Sequence, residues 1–215
     1  VDHFVLNEAE LTLPPFLEDL KNGRPGRIYQ TKAYCDIRET PSPMWELTDL
    51  KRYASMSIQF SRGCPFNCDF CNVTSLLGHR PRTKTAAQII AELDSLYSLG
   101  WRGSVFFVDD NFIGNKKAVK TALLPALAEW QQSHGFPFRF FTEASINMAD
   151  DAALLKGMRD AGFDEVFIGI ETPSREGLRE TGKKQNLKSD MASAVRTIQR
   201  YGMEVMAGFI VGFDS

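Results

Sequence analysis

Three of the four cysteines, Cys64, Cys68 and Cys71, crowd into eight residues, whereas Cys35 lies well upstream. They fall in Ser61-Arg62-Gly63-Cys64-Pro65-Phe66-Asn67-Cys68-Asp69-Phe70-Cys71, a Cys-x3-Cys-x2-Cys spacing with no fourth cysteine nearby. Clustered thiols in a chain without secretory marks read as metal ligands rather than as disulfide staples. A cuboidal 4Fe–4S cluster held wholly by protein takes four thiolates, so three leave one iron open to an outside ligand. An amino-acid chelate, offering a nitrogen and a carboxylate, is the kind of group that closes such a coordination sphere. Gly63 and Pro65 suit the tight backbone a loop around a compact cluster needs. The same residues leave open a Cys3His zinc knuckle with His79, or a disulfide with one free thiol.

The elements that must position this loop can be read from hydrophobic runs. Strand candidates are Ser57–Phe60, Ser104–Val108, Phe138–Thr142, Glu165–Ile170 and Val205–Val211. They are largely continuous apolar runs, as expected of parallel strands buried on both faces. Helix candidates are Ala86–Leu99, Lys116–Ser133, Ala149–Ala161 and Asp190–Tyr201, and the helical stretches end at Gly100, Gly135, Gly162 and Gly202. Thr85 and Gln88 fit a capping box, and Pro125 should kink or split the second helix. Strands alternating with helices imply βα units, too few for a full eight-stranded barrel. The fold expected is α/β, an open or partial barrel incomplete near the fifth strand, with a flavodoxin-like doubly wound sheet as rival. The cysteine loop follows the first strand directly.

Residues 1–56 are irregular and proline-rich. Thr12, Pro14 and Pro15 followed by Phe16, Leu17 and Leu20 suggest a short helix that Gly23 ends, and Ile28-Tyr29 suggests a short strand. The domain division expected is 1–56 as a lead-in and 57–215 as the core. Of the 215 residues 43% are hydrophobic and 24% charged, and the net charge is −2. Nothing there argues for nucleic acid or an anionic membrane, no apolar run is long enough to span a bilayer, and a reducing cytoplasm is the expected compartment. The missing initiator methionine and the end at Phe213-Asp214-Ser215 suggest a fragment of something longer.

In βα-barrel folds, catalytic groups collect at the C-terminal ends of the strands. Those ends here carry Asp109-Asp110-Asn111, Thr142-Glu143-Ala144-Ser145, Glu171-Thr172 and Gly212-Phe213-Asp214. For each acid the competing reading is a helix N-cap or a solvated turn. The basic run His79-Arg80-Pro81-Arg82-Thr83-Lys84 reads as a solvated loop, with an anion site as the alternative. Cys35 reads as a small hydrophobe, and His3 and His134 as surface residues.

The cysteine spacing, with aromatic Phe70 just before the last cysteine, resembles the radical S-adenosylmethionine superfamily. The resemblance implies a partial (β/α)6 barrel with the cluster loop after its first strand. It implies a 4Fe–4S cluster on Cys64, Cys68 and Cys71 that binds the methionyl part of S-adenosylmethionine and cleaves it to methionine and a 5′-deoxyadenosyl radical. It places Phe70 near the adenine and Asp109, Asp110 or Asn111 near the methionyl amino group, although the family's usual glycine-glycine-glutamate is absent there. It makes Glu143, Ser145 and Glu171 candidates for the ribose or carboxylate, and lays Gly208 and Ile210 of the glycine-rich fifth strand beside the adenine.

Residues 8–23, the Tyr53-Ala54 segment and the run Phe107–Phe112 resemble the subgroup in which a cobalamin-binding domain precedes the radical core, although no cobalt-ligating aspartate-x-histidine-x-x-glycine pattern occurs here. That subgroup implies methyl transfer to an unactivated carbon of a small-molecule substrate, with rearrangement, ring formation or methylthiolation as alternatives. It also implies a reductant such as flavodoxin or ferredoxin. The non-enzymatic alternative is a metal-binding module acting through partner contacts.

Overall fold

The computed structural model describes residues 1–188 and 190–213. The chain forms two compact units, Val1–Pro41 and Ser42–Ser215. In the first, helix α1 (Ala9–Lys21) accompanies a parallel pairing of Phe4–Val5 with Ile28–Tyr29. The helix does not open on its prolines, as the sequence suggests. Its first turn closes earlier, where Leu11 and Thr12 donate to the Glu8 carbonyl at 3.0 and 3.2 Å, so Pro14 and Pro15 fall inside the helix. Cys35 is buried, and its thiol donates to Glu8 Oε2 at 2.8 Å.

The second unit is built on a parallel five-stranded sheet of β1 (Ser55–Ile58), β2 (Ser104–Phe107), β3 (Arg139–Ala144), β4 (Phe163–Glu171) and β5 (Glu204–Phe209). The order is β1-β2-β3-β4-β5, every neighbouring pair parallel. A doubly wound sheet reverses its strand order at a switch point. This sheet never reverses, which is the barrel type of progression and disposes of the flavodoxin-like rival.

One expectation needs correcting. The strands alternate in burial instead of being buried on both faces. Met56, Ile58, Val105, Phe107, Phe140, Val166 and Ile168 lie in the core, whereas Phe106, Phe141 and Phe167 on the other face stay partly exposed. The core side is dense with aromatics, the rings of Phe107, Phe112, Phe140 and Phe163 approaching at 5.1 to 5.4 Å between centroids. On the opposite face Phe106 and Phe141 stack at 4.7 Å. Apolar composition alone cannot separate the two faces, because phenylalanine occupies both.

The helices are α2 (Ala86–Ser98), α3 (Leu124–Ser133), α4 (Ala152–Asp160), α5 (Arg175–Glu180) and α6 (Met191–Arg200). The capping box at Thr85 and Gln88 is formed, the two residues exchanging bonds of 3.0 and 3.2 Å. The stretch 116–133 is split as Pro125 demands. A helical turn Lys116–Ala118 passes into a π-turn at Val119–Leu123, and α3 then restarts with the proline in its first turn, where no N–H is needed. Gly162, at φ +93°, shows why glycine ends α4: a Cβ there would stand 2.5 Å from Gln131 Nε2, which itself donates to the Phe138 carbonyl at 2.8 Å.

The sequence does not announce the antiparallel pairing of Ser61–Arg62 with Arg82–Thr83, nor helix Val73–Leu77, nor α5. Two-residue ladders and single helical turns carry no periodicity to read. Nor is the basic run 79–84 wholly a solvated loop. Arg82 is in that ladder, and Lys84 is buried with its ammonium 2.5 Å from Glu92 Oε1, both side chains being under 10% exposed. Among the described residues no helix is long and apolar enough to cross a membrane.

Removing one partner of a buried ion pair strands the other's charge, whereas removing both costs little. Lys84→Met should therefore destabilise the protein by about 3–5 kcal/mol, and the double variant Lys84→Met/Glu92→Leu should recover most of that. Denaturant unfolding of the three proteins measures both effects.

Candidate functional site

The cysteine loop begins where β1 runs out, and its first residues are held by β2's extension. Both carboxylate oxygens of Asp109, which is 1% exposed, are committed to backbone: Oδ2 accepts from Phe60 N at 3.0 Å and Oδ1 from Ser61 N. Burial raises the Asp109 carboxyl to about 6, against the lowering effect of those bonds. Gly63 follows at φ +97°, where a Cβ would stand 2.8 Å from the Gly78 carbonyl. That carbonyl accepts from Cys64 N at 3.2 Å, so the loop passes the end of the helix Val73–Leu77 too closely for any side chain. Further along, Cys71 N bonds to the Cys68 carbonyl at 3.0 Å, and Asp69 N to the Thr181 carbonyl at 2.9 Å.

The three thiols are free and line one pocket at the C-terminal ends of the strands. Phe66, Phe70 and Thr74 line it from the loop side. Asp110, Asn111, Glu143, Ala144, Ser145, Phe167, Gly169 and Glu171 come from β3, β4 and the turns that follow β2 and β3, and Lys183 and Gln185 from beyond α5. Burial pushes the Cys64 and Cys68 thiols up, while hydrogen bonds from the Phe66 backbone and the Asn111 side chain act the other way on Cys64. Among the described residues the three sulfurs are not gathered within 4.8 Å of one another. A tetrahedral zinc site would draw them to about 3.8 Å, given Zn–S bonds of about 2.3 Å. His79 is exposed and outside the pocket lining. Three thiols with no fourth cysteine or histidine among the described lining residues suit a cluster with one open iron better than a closed four-ligand zinc site.

Of the residues singled out from sequence, Phe70, Asp110, Asn111, Glu143, Ser145 and Glu171 come together in this pocket. Asp109, Gly208 and Ile210 are not in its lining. Asp109 is spent on the loop's backbone, Ile210 N donates to the Glu171 carbonyl at 2.8 Å, and Gly208 makes room for the ring of Phe167, which a Cβ would meet at 2.6 Å. Asp214 lies outside the described residues. The pocket carboxyls of Asp110 and Glu143 are both raised by burial, Glu143 further by the charge of Asp110.

Lys183 and Gln185 escape the strand-end rule, because they arrive from a return segment two elements later. Lys183 pairs with Glu171, which adopts φ +66° at a register shift ending β4, and Gly169 leaves the space: a Cβ there would lie 2.6 Å from Lys183 Nζ. The one available signal was Gly182-Lys183, a cation following glycine just after a helix.

A sheet of this order with a three-cysteine loop after its first strand defines a partial barrel of the radical type, with its thiols at the strand-end rim. Residues 58–215 match the model of the radical SAM superfamily, and the chain belongs to that superfamily, one of enzymes. It is 52% identical over 213 residues to an uncharacterized methyltransferase of Synechocystis sp., covering 99% of this chain and 40% of that protein. It is 45% identical over 194 residues to the hopanoid C-2 methylase of Rhodopseudomonas palustris, covering 89% of this chain and 37% of the methylase. The chain therefore spans about 40% of the length of these relatives. Among solved structures, the cobalamin-dependent S-adenosylmethionine radical enzyme OxsB with aqua-cobalamin bound shares the fold at TM-score 0.78 and 20% identity, over 95% of this chain and 32% of that one. The radical S-adenosylmethionine methyltransferase TsrM of Kitasatospora setae matches at TM-score 0.64 and 20% identity, over 74% of this chain and 31% of that one.

The buried Asp109 gives a pH signature. Its folded value of about 6 lies above the ordinary 3.8, so between those values the folded state binds the extra proton. Stability from this group is present below about pH 4 and is lost as pH rises towards 6. Asp109→Asn should flatten that part of the stability-versus-pH curve, which urea unfolding between pH 4 and 7 measures.

Proposed function

We propose that this chain is the core in which S-adenosylmethionine is reductively cleaved at a 4Fe–4S cluster, within a cobalamin-dependent enzyme that methylates an unactivated carbon of a small-molecule substrate. The observation that carries the reading is that three free thiols and a polar, aromatic-flanked rim line one pocket at the strand ends. Cys64, Cys68 and Cys71 would hold three irons, leaving the fourth to the cofactor's amino and carboxylate groups. When bound, the cluster supplies the electron for cleavage, drawn from a reductant such as flavodoxin or ferredoxin.

The chain's own side chains then have distinct tasks. Asp110, Glu143 and Ser145 offer acceptors to an ammonium and to ribose hydroxyls. Lys183, the one cation among the described lining residues, is paired with Glu171 and keeps further N–H donors to offer a carboxylate. Phe70 and Phe167 present ring surfaces to a purine. Asn111 gives its amide to Cys64 and its carbonyl oxygen to Ser145, so it positions neighbours rather than reaching outward.

Methyl transfer is supported by the two relatives named as a methyltransferase and a methylase, and use of cobalamin by the fold neighbours whose descriptions name that cofactor. Cobalamin would be carried by a domain outside these 215 residues, with residues 1–56 as the connecting segment and 57–215 as the radical core. The cytoplasm is the compartment that suits a reduced cluster.

Anaerobically reconstituted protein should hold about four irons and form 5′-deoxyadenosine from S-adenosylmethionine and dithionite. Cys64→Ala, Cys68→Ala and Cys71→Ala should each abolish both, and Cys35→Ala neither. Stoichiometric zinc that iron does not displace would overturn the reading. Asp110→Ala should keep its iron yet bind S-adenosylmethionine roughly ten- to hundredfold more weakly, the size of one hydrogen bond to a charged group. Isotope from the methyl group of S-adenosylmethionine should appear on cobalamin in the complete protein, and its absence there would remove the methyl-transfer part alone.

A further inference from the structure

The cysteine loop is approached from behind by a segment that its motif does not announce. After α5, residues 181–186 turn back onto residues 67–70. The Thr181 carbonyl accepts from Asp69 N at 2.9 Å, and Gly182 lies so close that a Cβ would stand 2.8 Å from the Asn67 carbonyl. Lys183 Nζ sits 5.6 Å from the centre of the Phe70 ring. Asn186, 1% exposed, anchors the turn by donating to the carbonyls of Gly169 and Ile170, both at 3.1 Å. From this braced turn Gln185 Nε2 donates to Cys68 Sγ at 3.6 Å. Across the pocket Asn111 Nδ2 donates to Cys64 Sγ at 3.8 Å, its orientation set by Ser145 N, which donates to Asn111 Oδ1 at 3.2 Å.

A thiolate is acceptor-only, so each amide must present its N–H end to the sulfur. The nearby charges of Lys183 and Glu171 are paired with one another, and on the Cys68 thiol Lys183 acts downward and Glu171 upward. The side-chain dipoles aimed at the sulfurs are those of Gln185 on Cys68 and Asn111 on Cys64, the latter beside a backbone bond from Phe66. Reduction adds negative charge that a cluster shares with its sulfurs, and a donor on the sulfur stabilises the reduced state more than the oxidised one.

We propose that Gln185, with Asn111, is a positioning residue that sets the redox poise of the cluster, its side-chain amide donating to Cys68 Sγ and raising the reduction potential. The inference rests on the cluster reading above, and one set of samples separates the two. Holoprotein and its Gln185→Met and Gln185→Glu variants would be titrated with dithionite and mediators, with iron content and the EPR signal of the reduced cluster read together. Met keeps the length of the side chain without an N–H, and Glu turns an acceptor towards the sulfur.

With iron content unchanged, Gln185→Met should show an about three- to tenfold lower ratio of reduced to oxidised cluster at the wild-type midpoint, the size of one hydrogen bond, and Gln185→Glu a lower ratio still. In wild-type protein carrying glutamine labelled with 15N at the side-chain amide, pulsed EPR should detect a weak 15N coupling that Gln185→Met loses. An unmoved midpoint with full iron, or no 15N coupling in the wild type, overturns the proposal. So does loss of the cluster in both variants, which would make Gln185 a structural brace. Wild-type protein without iron or signal would instead overturn the cluster reading, and this proposal with it.

Discussion

The Asp109 carboxylate, bonded to the backbone of Phe60 and Ser61, is the interaction on which the site depends. A loop that must present three sulfurs to one point has few internal hydrogen bonds, and so cannot hold itself. Asp109 ties its beginning to the end of β2, and the ladder of Ser61–Arg62 with Arg82–Thr83 closes its base. A buried carboxylate is costly to ionise, and burial accordingly raises the Asp109 carboxyl. It is tolerated because it satisfies two buried N–H groups that would otherwise have no acceptor.

The sheet then supplies the rest through its order. In a parallel sheet with no reversal, every C-terminal strand end lies on the same rim, so acids separated by many residues meet without long connections. Its two faces divide the labour. One carries the Phe107, Phe112, Phe140 and Phe163 cluster and fixes the strands rigidly. The other keeps Phe167 and Glu143 partly open, and the pocket forms at its end. The left-handed turn at Glu171 belongs to this arrangement. It ends β4 at a register shift and turns the carboxylate to Lys183, a backbone conformation that a non-glycine residue keeps only when its surroundings over-determine it. Asn186, Gly169 and the Ile210 N–H are those surroundings.

Much of the site was legible because it follows short rules of spacing and position. Cys64, Cys68 and Cys71 declare themselves by spacing, and Phe70 by its place beside the last of them. Asp110, Glu143 and Glu171 are legible because an apolar run ends just before each. Asp109 obeys the same rule and plays a different part, since a strand end does not say which way a side chain points. Lys84 departs from its expected place for a related reason: a cation in a basic run looks solvated until a buried partner, here Glu92, is brought to it from the next helix.

What the sequence determined by itself was local: three thiols on one loop, the alternation of strand and helix, the capping box at Thr85, and the break before Pro125. Each depends on residues within a few positions of one another, where backbone geometry leaves little choice. Tertiary structure alone decided which strands neighbour which, which face of each strand became core, and which distant side chains reach the sulfurs. Gln185 stands 117 residues from Cys68, and the turn that carries it is set by contacts of Asn186 and Thr181 with other elements. No periodicity encodes such a meeting, because its free energy comes from groups that share no stretch of chain.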